Sequence, residues 1–252
     1  MNKPMVAHME LEKLKPIKGL LFDKDGTLFD FHSEWHIPAT EAAMFVAEGD
    51  EDLANRMLNA SGYDTETGVF GSGSMIAAGT AIDILKCWLE VAPSKRSWEE
   101  LIQKTDEIFR DGTDPVEAQV TDLKLWLSDL KARGYIIGLS THDSYEAAES
   151  QLSKAGAFHL FDFVAGYDSG YGHKPGPGML QAFCKQTSLD ASEVAAIGDN
   201  THDLGMGRSG GAGATIAVMT GTGVVEDLEP LADFIYPSIV EFGQALLQAV
   251  EK

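Results

Sequence analysis

Short apolar runs alternating with helical patterns constrain this chain more than anything else in it. Runs at residues 17–23, 135–139, 161–165, 194–197 and 214–219 each have the length of a buried strand and are bounded by glycine, proline or polar residues. Between them lie patterns of helical period. Val116, Val120, Leu123, Leu127 and Leu130 fall at alternating spacings of four and three, one apolar stripe. Asp114 is the expected cap of that helix, Pro115 its first turn and Gly134 its end. Helices are also expected over 144–155, 178–187 and 240–250. Strands alternating with helices imply an α/β fold, a parallel Rossmann-like sheet with helices on both faces.

One segment breaks the alternation. Residues 33–112 carry helical patterns at 39–47, 51–60, 77–90 and 98–110, almost no strand signal, and a Gly/Ser-rich stretch at 68–74. The expected organisation is an α/β core of residues 1–32 and 113–252 with an inserted all-helical cap domain, 33–112.

The strand ends carry the polar chemistry. The first run leads into Asp23-Lys24-Asp25-Gly26-Thr27. If strand alternation persists past Asp23, the two carboxylates share a face and Lys24 points away. Such a pair sits where parallel sheets bind ligands, although an Asp-Gly turn needs no ligand. The second run leads into Ser140-Thr141-His142-Asp143 before a helix, which suits either an anion or a plain N-cap. Lys174 lies in the loop His173-Lys174-Pro175-Gly176-Pro177 before another helix. The fourth run leads into Gly198-Asp199-Asn200-Thr201-His202-Asp203. Oxygen ligands four residues apart suit Mg²⁺, and one of them could equally cap the helix. Carboxylates for a hard cation, one lysine and one hydroxyl, each after a strand of one sheet, make a coherent site for phosphoryl transfer.

Composition narrows the partners. The net charge of -20 argues against nucleic acid and against an anionic membrane surface, so an anionic substrate would need positive charge supplied locally. No apolar run spans a bilayer, and the N-terminus lacks a secretory core. Cys87 and Cys184 stand apart, with no CxxC, which fits a reduced, cytoplasmic setting.

At these residues the sequence resembles the haloacid dehalogenase superfamily, specifically phosphatases with a helical cap inserted after the first strand. The phosphoglycolate phosphatase-like subgroup looks nearest. FDKDGT matches the first motif, Thr141 the second, Lys174 in KPGP the third, and Asp199 and Asp203 in GDNTHD the fourth. The resemblance implies Mg²⁺-dependent hydrolysis of a small phosphate monoester through an aspartyl-phosphate. Asp23 would be the nucleophile and Asp25 the general acid and base. Thr141, His142 and Lys174 would bind the phosphoryl group. Asp23, Asp25 (through its backbone carbonyl), Asp199 and Asp203 would serve the metal. His142 departs from the family's usual Asn and Lys24 from its usual apolar residue.

A phosphosugar mutase of the same fold, or a non-catalytic phosphate-binding module, remains an alternative. Dehalogenation and phosphonate cleavage are disfavoured by Asp25, even with Lys86 available for the latter. The expected partner is a small phosphorylated metabolite, and the expected assembly a monomer or homodimer. Substrate choice falls to the insert, with His32, Trp35 and residues 71–74 as candidates, although Trp35 fits equally as core of the insert.

Overall fold

The computed structural model describes residues 12–112 and 118–250. Gly19–Phe22 forms β1, buried at every position, because four apolar residues flanked on both faces by helices leave no side for water. Ile136–Ser140 (β4), Phe163–Ala165 (β5), Val194–Gly198 (β6), Ala214–Val218 (β7) and Phe234–Tyr236 (β8) complete a parallel sheet in the order β5-β4-β1-β6-β7-β8. Leu20 pairs in register with Ile137 on one side and Ala195 on the other. The chain therefore leaves β1 toward β4 and later crosses to β6. Strand order reverses at β1, and that reversal opens a crevice at the carboxyl ends of β4, β1 and β6.

The sheet's two faces follow from alternation. Leu20, Phe22, Ile137, Leu139 and Ile197 pack against Leu127 and Leu130 of Leu123–Ala132 (α6) and Phe242 and Leu246 of Ile239–Val250 (α11). Leu21, Ala196 and Phe163 face the other way, onto Met179, Leu180 and Phe183 of Gly178–Thr187 (α8) and Met206 of Thr201–Gly210 (α9). Tyr145–Lys154 (α7) follows β4, with Ser144 as N-cap. Val225–Leu228 (α10) is a single turn.

Phe31–Gly112 builds a second core of its own. Phe31–Val46 (α1), Glu51–Ala60 (α2), Met75–Ala78 (α3), Ala81–Val91 (α4) and Trp98–Gly112 (α5) bury Trp35, Ala42, Leu58, Leu85, Trp88 and Phe109 together. The segment is not helix alone. Tyr63–Asp64 (β2) and Val69–Phe70 (β3) pair antiparallel as a minimal hairpin within the Gly-rich stretch.

Several boundaries differ from the sequence pattern, each for a physical reason. α1 begins at Phe31, capped by Asp30, and carries Pro38 inside it. It thus straddles the boundary expected after residue 32. The helix expected over 77–90 breaks at Gly79. Thr80 restarts it through a capping box in which Asp83 accepts the Thr80 N–H at 3.1 Å. Within the described part of the stripe read from residue 116, the helix begins at Leu123, because Asp122 is the N-cap, its carboxylate accepting the Leu125 N–H at 2.8 Å. Val120 is buried ahead of that helix, beside Gln119, whose N–H donates to the Leu28 carbonyl. Asp114, Pro115 and Val116 lie outside the described residues.

Candidate active site

Asp23 follows β1 directly, and its N–H donates to the Ile197 carbonyl, so the backbone still belongs to the sheet when the carboxylate emerges. The strand cannot continue. Gly26 takes φ +81°, and the N–H groups of Thr27, Leu28 and Phe29 all return to the Lys24 carbonyl. This tight turn sets Asp23 and Asp25 on the same cavity wall.

From β6, Asp199 and Asp203 reach the same point. Asn200 caps α9, and Asp203 completes the capping box by accepting the Asn200 N–H at 3.0 Å. Gly198 permits this return, since a Cβ there would lie 2.2 Å from the Asp203 Cβ. Asp199 accepts from the Thr222 N–H at 3.1 Å and the Thr27 hydroxyl at 3.3 Å. Carboxylate oxygens of Asp23, Asp199 and Asp203 all lie within 4.8 Å of one another, and all three residues are buried.

Lys174 reaches in from the loop before α8. Its ammonium sits 2.6 Å from Asp23 Oδ1, 2.6 Å from Asp203 Oδ1 and 3.2 Å from the Ser140 carbonyl. With all three ionised, these buried carboxylates against one ammonium would leave an excess of two negative charges, and the pKa shifts show how strongly the site resists that charge. Burial, followed by repulsion from Asp203, pushes Asp23 up to about 7, although Lys174 opposes the shift. Burial and the Asp23 charge raise Asp199 well above the ordinary carboxylate range. Burial works against the Lys174 charge, but Asp203 and Asp23 outweigh it and raise its pKa. An all-oxygen donor set with an excess of two negative charges fits a hard divalent cation such as Mg²⁺.

Thr141 and His142 follow β4 and line the same cavity. Thr141 Oγ1 accepts the Asp143 N–H at 3.1 Å. His142 Nδ1 lies 2.6 Å from the Ala78 carbonyl, a direct tie to α3. The enclosed space over Asp23 is about 30 Å³, roofed by Phe31, Trp35 and Ile76. The structure thus brings together the residues expected to serve catalysis, phosphate and metal, Asp23, Asp25, Thr141, His142, Lys174, Asp199 and Asp203, together with Trp35, whereas His32 and residues 71–74 do not line this cavity. The Asp25 side chain, however, stands outside the three-carboxylate cluster.

Lys24 does not point away from the carboxylates, as strict alternation required. Fully buried, its ammonium contacts Asp25 Oδ1 at 2.7 Å and Asp143 Oδ2 at 2.9 Å, and it also donates to Gln151. Gln151 in turn donates to Glu34 of α1 at 2.7 Å. Alternation fails here because the strand ends at Phe22 and the turn rotates Asp25 back toward Lys24. Burial, opposed by Lys24, raises Asp143 to about 6. Gln151, Glu34 and Thr222 were not foreseen as neighbours of the site, and Asp143 was read only as part of the polar run after the second strand. No motif marks Gln151, Glu34 or Thr222, and Glu34 meets Gln151 through a hydrogen bond between residues 117 positions apart in sequence.

Residues 17–211 match the family model for haloacid dehalogenase-like hydrolases. The chain belongs to that family. It is a phosphatase of the family and groups with its phosphoglycolate phosphatase-like members. A phosphoglycolate phosphatase of Pectobacterium atrosepticum is 25% identical over 201 residues, 80% of each chain. An N-acetylmuramic acid 6-phosphate phosphatase of Pseudomonas aeruginosa is 27% identical over 77% of this chain and 79% of its own. In fold, the crystal structure of a predicted phosphoglycolate phosphatase from Haemophilus somnus superposes with a TM-score of 0.66. That match covers 91% of this chain and 98% of that one at 18% identity. No helix among the described residues is long and apolar enough to cross a membrane.

Proposed function

We propose that this phosphatase hydrolyses a small phosphate monoester in the cytoplasm, with Mg²⁺, through a phosphorylated Asp23. The observation that carries the reading is the convergence of three buried carboxylates, Asp23, Asp199 and Asp203, beside the single ammonium of Lys174, a set that would carry an excess of two negative charges when ionised. A divalent cation held there by these three carboxylates would neutralise the excess and polarise the phosphoryl oxygens.

The chain's own residues supply the rest. Asp23 Oδ attacks phosphorus as the ester oxygen departs. Asp25 lies on the same wall and is held by Lys24, in position to give a proton to the leaving oxygen and take one from the attacking water. Lys174 and Thr141 hold phosphoryl oxygens as charge builds on them, with the His142 N–H beside Thr141. Residues 33–112 act as the cap over a core of 1–32 and 113–252, roofing the cavity with Trp35 and Ile76 so that water is excluded during transfer. The named relatives act on esters of a two-carbon acid and of an amino sugar acid, so a small phosphorylated metabolite is the substrate class.

Phosphate release from p-nitrophenyl phosphate tests this, run with Mg²⁺, with EDTA and with Asp23→Asn. Turnover that disappears with EDTA and falls by at least ~10³-fold in the variant is expected. Turnover indifferent to both would overturn the mechanism.

A further inference from the structure

Apart from Asp143 Oδ2, which is ion-paired with Lys24, two buried polar atoms on residues lining the cavity have no hydrogen-bond partner: Trp35 Nε1 and His142 Nε2. Such atoms are uncommon in folded proteins, because each loses its water without replacement. Their chemistry differs. The Trp35 indole N–H can only donate. In His142 the Ala78 carbonyl can only accept, so Nδ1 carries the proton and Nε2 presents a lone pair. Burial, then the nearby Lys174 charge, lowers the His142 pKa to about 4 and keeps the ring neutral. The wall therefore offers one unsatisfied donor and one unsatisfied acceptor.

His142 also forms the partition to a second compartment of about 270 Å³, walled by Asp83, His173 and His202. At ~30 Å³ per water, that is room for roughly nine waters, or a group of about ten non-hydrogen atoms. Among the described residues, Lys174 is the only lysine or arginine in either wall, and its ammonium is committed to Asp23 and Asp203. Lys86, one turn along α4 from Asp83, is exposed and lines neither.

We propose that the leaving group is an uncharged, hydroxyl-bearing alcohol about the size of one sugar ring, read by Trp35 Nε1 as donor and His142 Nε2 as acceptor. The inference rests on the phosphatase reading above and narrows its substrate. A hydroxyl both accepts and donates, so it satisfies either atom. A carboxylate only accepts. It would set its charge against the His142 lone pair and the Asp83 carboxylate, with no free cation to answer it. Phosphoglycolate, whose leaving group is such an acid, is disfavoured on this ground.

The test compares kcat/KM for glucose 6-phosphate, ribose 5-phosphate, phosphoglycolate and p-nitrophenyl phosphate with Mg²⁺ present. The better sugar phosphate should exceed phosphoglycolate by at least about tenfold. His142→Phe should lower the ratio of sugar ester to aryl ester by at least about tenfold, and His142→Asn, which keeps an acceptor, should recover most of it. Trp35→Phe keeps the ring and removes the N–H, so it gives an independent reading if His142→Phe folds poorly. It should lower the same ratio at least ~3-fold. Preference for phosphoglycolate, or a ratio unmoved in these variants, overturns the proposal. If no ester, the aryl one included, releases phosphate, the phosphatase reading itself fails and takes this inference with it.

Discussion

Without metal, the charge cluster at Asp23 should make the protein less stable as pH rises. Asp23 titrates near 3.8 when unfolded and near 7 when folded, so the folded state holds its proton more tightly. Stability from this group is complete below about pH 4 and is lost as pH climbs toward 7, where the buried carboxyl must ionise. That rise, from near 3.8 to near 7, corresponds to about 4 kcal/mol. For a chain of this length that is ~8–16 °C in Tm. Asp199, raised for the same reason, acts in the same direction. Thermal melts by circular dichroism at pH 5, 6, 7 and 8 in EDTA should show the decline, and Mg²⁺ should reverse it at pH 8. The net charge of -20 also destabilises at high pH, so Asp23→Asn is the control. It should flatten most of the slope and weaken the response to Mg²⁺. A wild-type Tm that holds steady from pH 5 to 8 in EDTA, or falls in parallel with the variant, refutes the reasoning.

Three other changes follow from contacts described above. Lys24→Met leaves buried Asp143 and Gln151 without their cation and takes the ion pair from half-buried Asp25, and should cost about 3–5 kcal/mol by urea unfolding at pH 7. A loss under 1 kcal/mol would show that those groups find other partners. Gly198→Ala places a Cβ 2.2 Å from the Asp203 Cβ, so it should displace that carboxylate and weaken Mg²⁺ binding by roughly 10- to 100-fold in calorimetry. Lys174→Met removes the ammonium shared by Asp23 and Asp203 and should lower kcat by at least ~10²-fold. It should also steepen the decline of Tm with pH in EDTA.

The site was legible in the sequence because its residues lie at strand ends. A buried strand announces itself by an apolar run, and the polar residues after it have little choice of place. The runs ending before Asp23, Thr141 and Asp199 fixed three corners of the cavity in this way. Lys174 was harder, since its loop follows no central strand, and its family motif marked it. What escaped had weak local signals. Phe234–Tyr236 is a three-residue edge strand, and the Tyr63–Asp64 and Val69–Phe70 hairpin has two residues a side. Neither is long enough to show a period. Lys24 was misdirected because alternation was carried past the strand's last residue, where Gly26 turns the chain. Trp35 looked like core and is core, stacked on Phe31 and edge-on to Phe109, while its N–H faces no partner.

The burial of Lys24 also bears on how this lineage can change. An apolar residue at position 24 requires that Asp143 and Gln151 change at nearly the same time, because Asp143 would be left buried without its cation and the Gln151 carbonyl without its donor. Glu34 of the roofing helix is drawn into the same dependency through Gln151. Positions 24, 34, 143 and 151, scattered over more than a hundred residues of sequence, should therefore be exchanged among relatives as a set, and rarely one by one.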